Sequence, residues 1–444
     1  MRRLVTALTV LTTLATGAVL ADAPGGRAAT GRGTNVLIVG TDSRAGLSKA
    51  EKNRLHVGGE GCNCTDVMML VHLSANGRRA TVVSLPRDSY VEYADGSGVR
   101  GKINGAWKRG GAALTVKTVE AVTGLRVDHF LETGFQGFEK AVNGLGGAMV
   151  CTDRAVKDEN SGLDLTPGIH HVDGNGALRY VRARHIQPRS GDLGRMRRQQ
   201  RAVSDLLTRL TLEGALADPA AAAATARTLL KSVRPAEGTT LSDLVRLGTA
   251  LGRLDPGQTE FATVPLREFD HRVPGVGSTL LWHEERAGAL WKAIAEDRRI
   301  LGDRRIQPAA NAPASPSSVR VRVDEAETAK ALKAAGFVVT DTSAKAPKTR
   351  PDGPPVIRYA PGAELQAATL AAALPGAGRQ VVPGQDTTLD LSVGTRLPRV
   401  QRAVWDRNVA DGAPITGARL GCAGTATAAA GPTAAKKPTT TPRG

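Results

Sequence analysis

The stretch VMMLVHLSANGRRATVVSL, Val67 to Leu85, carries two apolar runs separated by Ser74-Ala75-Asn76-Gly77. A short polar break containing Asn-Gly is turn chemistry, because both residues tolerate a left-handed backbone. The spacing predicts an antiparallel hairpin of strands at Val67–Leu73 and Ala80–Leu85. Upstream, NVLIVG (Asn35–Gly40) is a third buried-strand run. Downstream, Ala112–Val122 and Phe135–Val142 read as helices flanking a strand at Val127–Leu131, and Gly147–Cys151 reads as another strand. Helices interleaved with strands predict a layered α/β domain, a mixed sheet with flanking helices.

Charged residues cluster beside these strands: Asp42 after the first, Asp66 at the start of the second, Arg87 and Asp88 after the third. Sites of open α/β sheets gather at the carboxyl ends of strands. A second cluster, YVRARHIQPRSGDLGRMRRQQR (Tyr180–Arg201), is rich in arginine. Arg182 and Arg184 are two apart, so an extended segment would send both side chains to one face. Asp192 stands where a helix N-cap belongs, ahead of an apolar stripe of Leu193, Met196, Val203, Leu206, Leu207 and Leu210. Arg195 and Gln199, four apart, share a face near that helix's N-terminus, where the backbone already favours anions. Arg197, Arg198 and Arg201 read as solvated charges on an amphipathic helix.

The chain has 444 residues, enough for two or three domains, with a formal charge of +17 and a pI near 10.2. Such a balance requires anionic surroundings. Aromatics make up only 3%, too few for the stacking platforms of single-strand nucleic-acid binders. Arg2-Arg3 followed by uncharged Leu4–Leu20 reads as an export segment over residues 1–30, a signal peptide or a membrane anchor. It predicts an extracytoplasmic location, at the membrane or in the wall, away from nucleic acid. Four cysteines suit an oxidising compartment. Cys62 and Cys64 are close for a bridge to one another, so the expected disulfide joins that pair to Cys151, as Cys64–Cys151.

There is no G-x-x-x-x-G-K-[ST] loop, no G-x-S-x-G elbow and no H-E-x-x-H in the sequence. What remains is acids and arginines without a nucleophile. Carboxylates hold a hard cation such as Mg²⁺ together with phosphate oxygens, and guanidiniums bind phosphate in bidentate fashion. The combination suits a pyrophosphate or phosphodiester.

These residues carry a resemblance. NVLIVGTDSR, CTDVMMLVHL, VVSLPRDSYVEY, GKINGAW, TVEAVTGLRVDHFLE, GFEKAVNGLGGAMV and ALRYVRARH with GDLGRMRRQQR, all in order, resemble the LytR-CpsA-Psr (LCP) cell-envelope phosphotransferases. The resemblance implies transfer of an anionic glycopolymer, such as teichoic acid, from a polyprenyl-pyrophosphate carrier at the membrane surface to peptidoglycan, with pyrophosphatase as a side activity. It implies Asp42 and Asp66 as Mg²⁺ ligands, Arg87 on the pyrophosphate, Arg182, Arg184, Arg195 and Gln199 on the head group, and Asp192 as a further catalytic or metal-linked acid, with Asp42, Arg87, Asp192 and Arg195 as the catalytic set. The reacting hydroxyl would come from the acceptor, with Asp42 or Asp192 as base. Phe130, Phe135, Phe138, Val67 and Met69 are candidates to line an isoprenoid groove. The segment between Asp42 and Asp66, holding Cys62 and Cys64, departs from the family pattern and reads as an insertion.

By this reading residues 31–302 form the catalytic domain, with a core at 35–212. Residues 303–318 form a linker, 319–396 a small α/β domain similar to the LytR C-terminal type, and 397–444 a basic, mostly disordered tail. A noncatalytic envelope protein binding wall polymers through its positive surface is the alternative.

Overall fold

The computed structural model describes residues 33–422 apart from 45, 59–60, 63, 153–154, 185, 187–191, 213–231, 236–238, 342–351 and 396. The export segment and the end of the tail lie outside the described residues. Strand β1 (Thr34–Thr41) is followed by helix α1 (Lys49–Arg54), β2 (Thr65–Leu73) and β3 (Ala80–Ser84). β1 with β2 and β2 with β3 are antiparallel, and the Ser74–Gly77 turn closes the expected hairpin through Gly77 N–H to Ser74 O at 2.8 Å. A small hairpin, β4 (Tyr90–Glu92) and β5 (Arg100–Lys102), precedes helix α2 (Gly105–Thr123). Then come β6 (His129–Thr133), α3 (Phe135–Gly144), β7 (Ala148–Thr152), β8 (Val156–Asp158), β9 (Leu163–Leu165), β10 (Gly168–Val172), α4 (Gly174–Arg182) and the long α5 (Asp192–Leu212). β11 (Arg234–Pro235), α6 (Leu241–Gly252), β12 (Glu260–Thr263), the hairpin β13 (Leu266–Val273) with β14 (Gly277–Trp282), and α7 (Glu284–Ala295) complete this part.

The central sheet runs β11-β6-β1-β2-β3-β12, with parallel pairs β1/β6 and β3/β12 and the rest antiparallel. Alternation along the strands sends neighbours to opposite faces. Leu37, Val39, Met68, Leu70 and Val83 pack toward α7 residues Leu290, Trp291 and Ile294 and toward Val119 of α2. Val36, Met69, Val71, Val82 and Leu131 pack toward Leu207 of α5 and Leu247 of α6. Both faces are buried, which is why these strands read as nearly continuous apolar runs.

Residues 320–393 form a second domain: β15 (Arg320–Val323), α8 (Ala326–Ala334), β16 (Val338–Asp341), β17 (Val356–Tyr359), α9 (Glu364–Ala373), β18 (Gly378–Val381) and β19 (Leu389–Ser392). Its sheet order is β16-β15-β19-β17-β18, around a separate core of Val321, Leu332, Ile357, Leu370 and Leu389. The segment before it is no free linker. Asn311 and Ala312 N–H donate to Val404 O at 3.0 and 3.1 Å, and Val404 N–H donates to the Asn311 side chain at 2.7 Å.

The expected tail is wrong for residues 397–422. After the second domain the chain returns as α10 (Arg407–Gly412), β20 (Ile415–Thr416) and α11 (Gly417–Leu420), and β20 adds an outer strand to β12. Leu420 is buried and, with Ile415, joins the α5 side of the core. Gly417 lies so close to Pro256 O that a Cβ there would sit 2.5 Å from it. Two apolar residues and a glycine inside a Lys/Arg/Ala/Pro-rich context were too sparse a signal to read as an element.

This return decides the disulfides. They are Cys62–Cys64 and Cys151–Cys422, not Cys64–Cys151, and no described cysteine is free. Cys151 is the last but one residue of β7, and α11 carries Cys422 to it, whereas Cys64 is held just before β2 by Asp42 N–H donating to its carbonyl at 3.1 Å. His170 and His171 lie in β10, paired with β7.

Within β2, His72 is 2% exposed, with Nδ1 2.8 Å from Asn35 Oδ1 and Nε2 3.1 Å from Asp297 Oδ1. Burial lowers its pKa from 6.5 and outweighs the opposing pull of Asp297. The unfolded chain therefore binds the proton more readily. Stability held above the unfolded value of 6.5 is lost as pH falls from there through the lowered folded value. Thermal melts between neutral and mildly acid pH are expected to show this decline, and His72→Gln should flatten it; an unchanged slope would assign the decline to other groups.

Candidate anion site at the edge of the central sheet

β1 and β2 pair Gly40 with Val67 but Thr41 with Thr65, so Asp66 is the extra residue of a β-bulge. A bulge bends its strand and re-aims a side chain. Here it turns Asp66 toward Arg87, whose Nη1 donates at 2.5 Å. Arg87 follows β3 in a tight turn fixed by Ser89, whose N–H and Oγ donate to Pro86 O at 3.0 and 2.7 Å. Asp192, at the start of α5, receives Arg87 Nε at 3.2 Å, Arg195 Nη2 at 3.3 Å and Arg184 Nε at 3.6 Å. Arg184 Nη2 lies 3.9 Å from Asp66. Arg87 Nε also lies 3.5 Å from Asp88, which Lys102 Nζ meets at 2.9 Å, so three guanidiniums and an ammonium share three carboxylates, leaving a net positive charge.

Arg195 is the most buried of them, 4% exposed, with Nη2 also 3.4 Å from Asp66 O and with Nε buried and lacking a hydrogen-bond partner. Burial lowers its pKa to about 10, against the attraction of Asp192 and with added repulsion from Arg184 and Arg87. For Asp192, burial raises the carboxyl pKa, but Arg195, Arg87 and Arg184 outweigh it and hold the group below its usual 3.8. An acid so stabilised in its charged form is a poor base, and its geometry is that of a clasp for guanidiniums.

Arg182 and Arg184 do not leave an extended strand together. Arg182 is the last residue of α4, and its Nη1 and Nη2 donate to Leu55 O and His56 O at 2.8 and 3.0 Å, with its guanidinium over Phe135. The apolar spacing of Ala177, Leu178 and Val181 carries the helix further than the Arg-x-Arg pattern indicated. Gln199 Nε2 donates to Val181 O at 3.3 Å. Asp42, 7% exposed, receives both Nε and Nη2 of Arg44 at 2.9 Å.

The arginines read as solvated are fastened in place. Arg198 is 9% exposed and donates to Ala183 O; Arg201 donates to Leu420 O, Cys151 O and Tyr180 Oη; Arg197 donates to Ala413 O. Asp158, 2% exposed, accepts the Arg184 N–H at 2.5 Å and was not anticipated. Its other oxygen accepts the Asn160 and Ser161 N–H groups at 3.0 and 3.3 Å, as in an ordinary turn, so no local spacing marks the contact with Arg184.

An apolar cavity of about 140 Å³ adjoins the arginines. Val67, Met69, Phe135 and Phe138 line it as expected, with Asp66, Arg182, Arg195 and Gln199 among its polar lining. Phe130 does not. It lies on the other face of β6, with its ring 6.2 Å from that of Trp107, since strand neighbours alternate.

Guanidiniums gathered at one end of the central strands β1, β2 and β3 make a site whose chemistry suits an anion. The chain belongs to the LytR_cpsA_psr family, whose model matches residues 21–294. Residues 325–396 match the model described as LytR cell envelope-related transcriptional attenuator. The "Probable cell wall biosynthesis protein LcpB" of Corynebacterium glutamicum is 37% identical over 273 residues, covering 61% of this chain and 63% of that protein. The polyisoprenyl-teichoic acid–peptidoglycan teichoic acid transferase TagU of Enterococcus faecalis is 32% identical over 146 residues, 33% of this chain and 47% of that protein. The chain thus spans about half to three-fifths of these curated relatives. The crystal structure of B. subtilis TagV is similar at 22% identity with a TM-score of 0.49, covering 60% of this chain and 97% of that one. No helix among the described residues is long and apolar enough to cross a membrane.

Proposed function

We propose that the protein transfers an anionic glycopolymer from a polyprenyl-pyrophosphate carrier to a hydroxyl of peptidoglycan, at the outer face of the cytoplasmic membrane. The observation that carries this reading is the junction of a guanidinium cluster with an apolar cavity: Arg195 lines the cavity and also reaches Asp192, which Arg87 and Arg184 share. A ligand with a doubly charged head and an apolar tail matches both halves. Guanidiniums that trade carboxylates for phosphate oxygens stabilise charge on the polyprenyl phosphate that leaves as the pyrophosphate bridge breaks and the acceptor hydroxyl bonds to the sugar-bearing phosphorus. The transfer for which TagU is named, from polyisoprenyl-teichoic acid to peptidoglycan, is the same class of chemistry.

Asp42 and Asp66 provide oxygen donors at the ends of adjacent strands, and Arg182 lies within the electrostatic reach of both. That donor set fits Mg²⁺, which takes one or two protein carboxylates plus phosphate oxygens. Bound there, the cation would neutralise phosphate charge. Arg44 holds Asp42 in place, and Arg87 holds Asp66 until a phosphate takes its guanidinium. Pyrophosphate cleavage without an acceptor would be the side reaction.

Purified protein, a polyprenyl-pyrophosphate-linked glycopolymer and peptidoglycan should yield a phosphodiester-linked product by mass analysis. Asp42→Asn keeps size and turn preference but loses the charge, so activity should fall at least about tenfold, as expected for a lost ligand of the cation, with little change in melting temperature. A wild-type response to Mg²⁺ in this variant would remove the metal role, and absence of any product from wild type would remove the transfer reading.

A further inference from the structure

The insertion between Asp42 and Asp66 brings two sulfur atoms to the anion site. Sγ of Cys62, Sγ of Cys64 and a carboxylate oxygen of Asp66 all lie within 4.8 Å of one another. Two of the three ligand positions are fixed to the sheet: Cys64 O accepts the Asp42 N–H, and Asp66 is the bulged residue of β2. The third, Cys62, is exposed, so a solvent-borne thiol can reach the bridge. We propose that reduction of the Cys62–Cys64 disulfide creates a chelating site for a thiophilic divalent cation of the zinc class, with Cys62, Cys64 and Asp66 as ligands.

The balance is simple. Two molecules of a thiol reductant give up two electrons and become a disulfide, and the protein bridge takes up the electrons and two protons to become two thiols. The cation then displaces both thiol protons to water and is held by two thiolates and the carboxylate, leaving a fourth, tetrahedral position for water. Sulfur donors select such an ion over Mg²⁺, which prefers oxygen. The neighbouring Arg87, which donates to Asp66, and Arg44, which packs beside Gly61, face the surplus negative charge.

The consequence is a choice for Asp66. In the oxidised protein it partners Arg87 and is free to meet an oxygen-seeking cation; in the reduced, metal-loaded protein it is held on the sulfur side. The inference does not depend on the transfer reaction, since its readout is optical.

The test is to reduce the full-length protein with a phosphine, remove the reductant under nitrogen and titrate with Co²⁺, whose thiolate charge-transfer band reports sulfur ligation. About one equivalent should bind, Zn²⁺ should abolish the band, and oxidised protein should give none. Cys62→Ser/Cys64→Ser should remove it, and Asp66→Asn should weaken binding about tenfold or more. No band in the reduced wild type, a band that persists in the double serine variant, or wild-type affinity in Asp66→Asn would each overturn the site. Should the double variant not fold, Zn²⁺ protection of the reduced wild type from alkylation decides: protection at Cys62 and Cys64 supports the site, and its absence there refutes it.

Discussion

Arg195→Ala should lower polymer transfer by about two orders of magnitude without unfolding the protein. A hydrogen bond to a charged group contributes about 1.5 to 3 kcal/mol, and each 1.36 kcal/mol in the barrier is about tenfold in rate. Arg195 earns the upper end of this range because it is 4% exposed, so no water replaces it, and because its Nε has no partner in the ligand-free protein. An unpaired buried donor beside a cavity is most simply completed by an incoming oxygen. The loss should fall on kcat more than on KM if the contact forms mainly as charge develops on the leaving phosphate. Arg195→Lys keeps a charge but not the planar fork, so it should recover only part of the rate. Wild-type turnover in Arg195→Ala, measured on a folded sample, would remove the guanidinium cluster from the chemistry.

The second large effect concerns stability. Cys151 and Cys422 are 271 residues apart, and in the chain-entropy account a loop of that size restrains the unfolded chain by about 5.6 kcal/mol, with about 2 to 4 kcal/mol typical in practice. Cys151→Ser/Cys422→Ser should therefore lower the unfolding free energy by about 3 kcal/mol and the melting temperature by roughly 6 to 12 °C. Cys62→Ser/Cys64→Ser, which opens a bridge between residues only two apart, should cost less than about 2 kcal/mol. Denaturant titrations of both variants without reductant separate the two bridges, and equal losses would contradict the assignment. The larger bridge also borders α5, since Arg201 donates both to Cys151 O and to Leu420 O.

Strands were easy to read where burial on both faces made them plain apolar runs, as in Val67–Leu73 and Ala80–Ser84. The acids and arginines at their ends were legible for the same reason, because polar residues at the edge of such runs stand out. Harder were features made by partners far apart in the chain. The single-residue bulge at Asp66 has no pattern of its own, the burial of Arg198 depends on the backbone of α4, and the partner of Cys151 arrives from the far end of the sequence. Arg182 lies beside the cavity at the end of a helix and not in the extended segment expected, since a two-residue spacing looks the same at a helix end as in a strand.

The returning strand β20 alters what the word terminal means for this protein. In sequence the second domain follows the first; in space it is a loop-out between two segments that are zipped together by Asn311, Ala312 and Val404. Cutting the chain at residue 318 to isolate the first domain would also take away the outer strand, the cover on α5 and one half of a disulfide. A genetic dissection that respects the architecture would instead excise the stretch between the zipped segments and rejoin them, leaving the last turns of the chain where the first domain needs them.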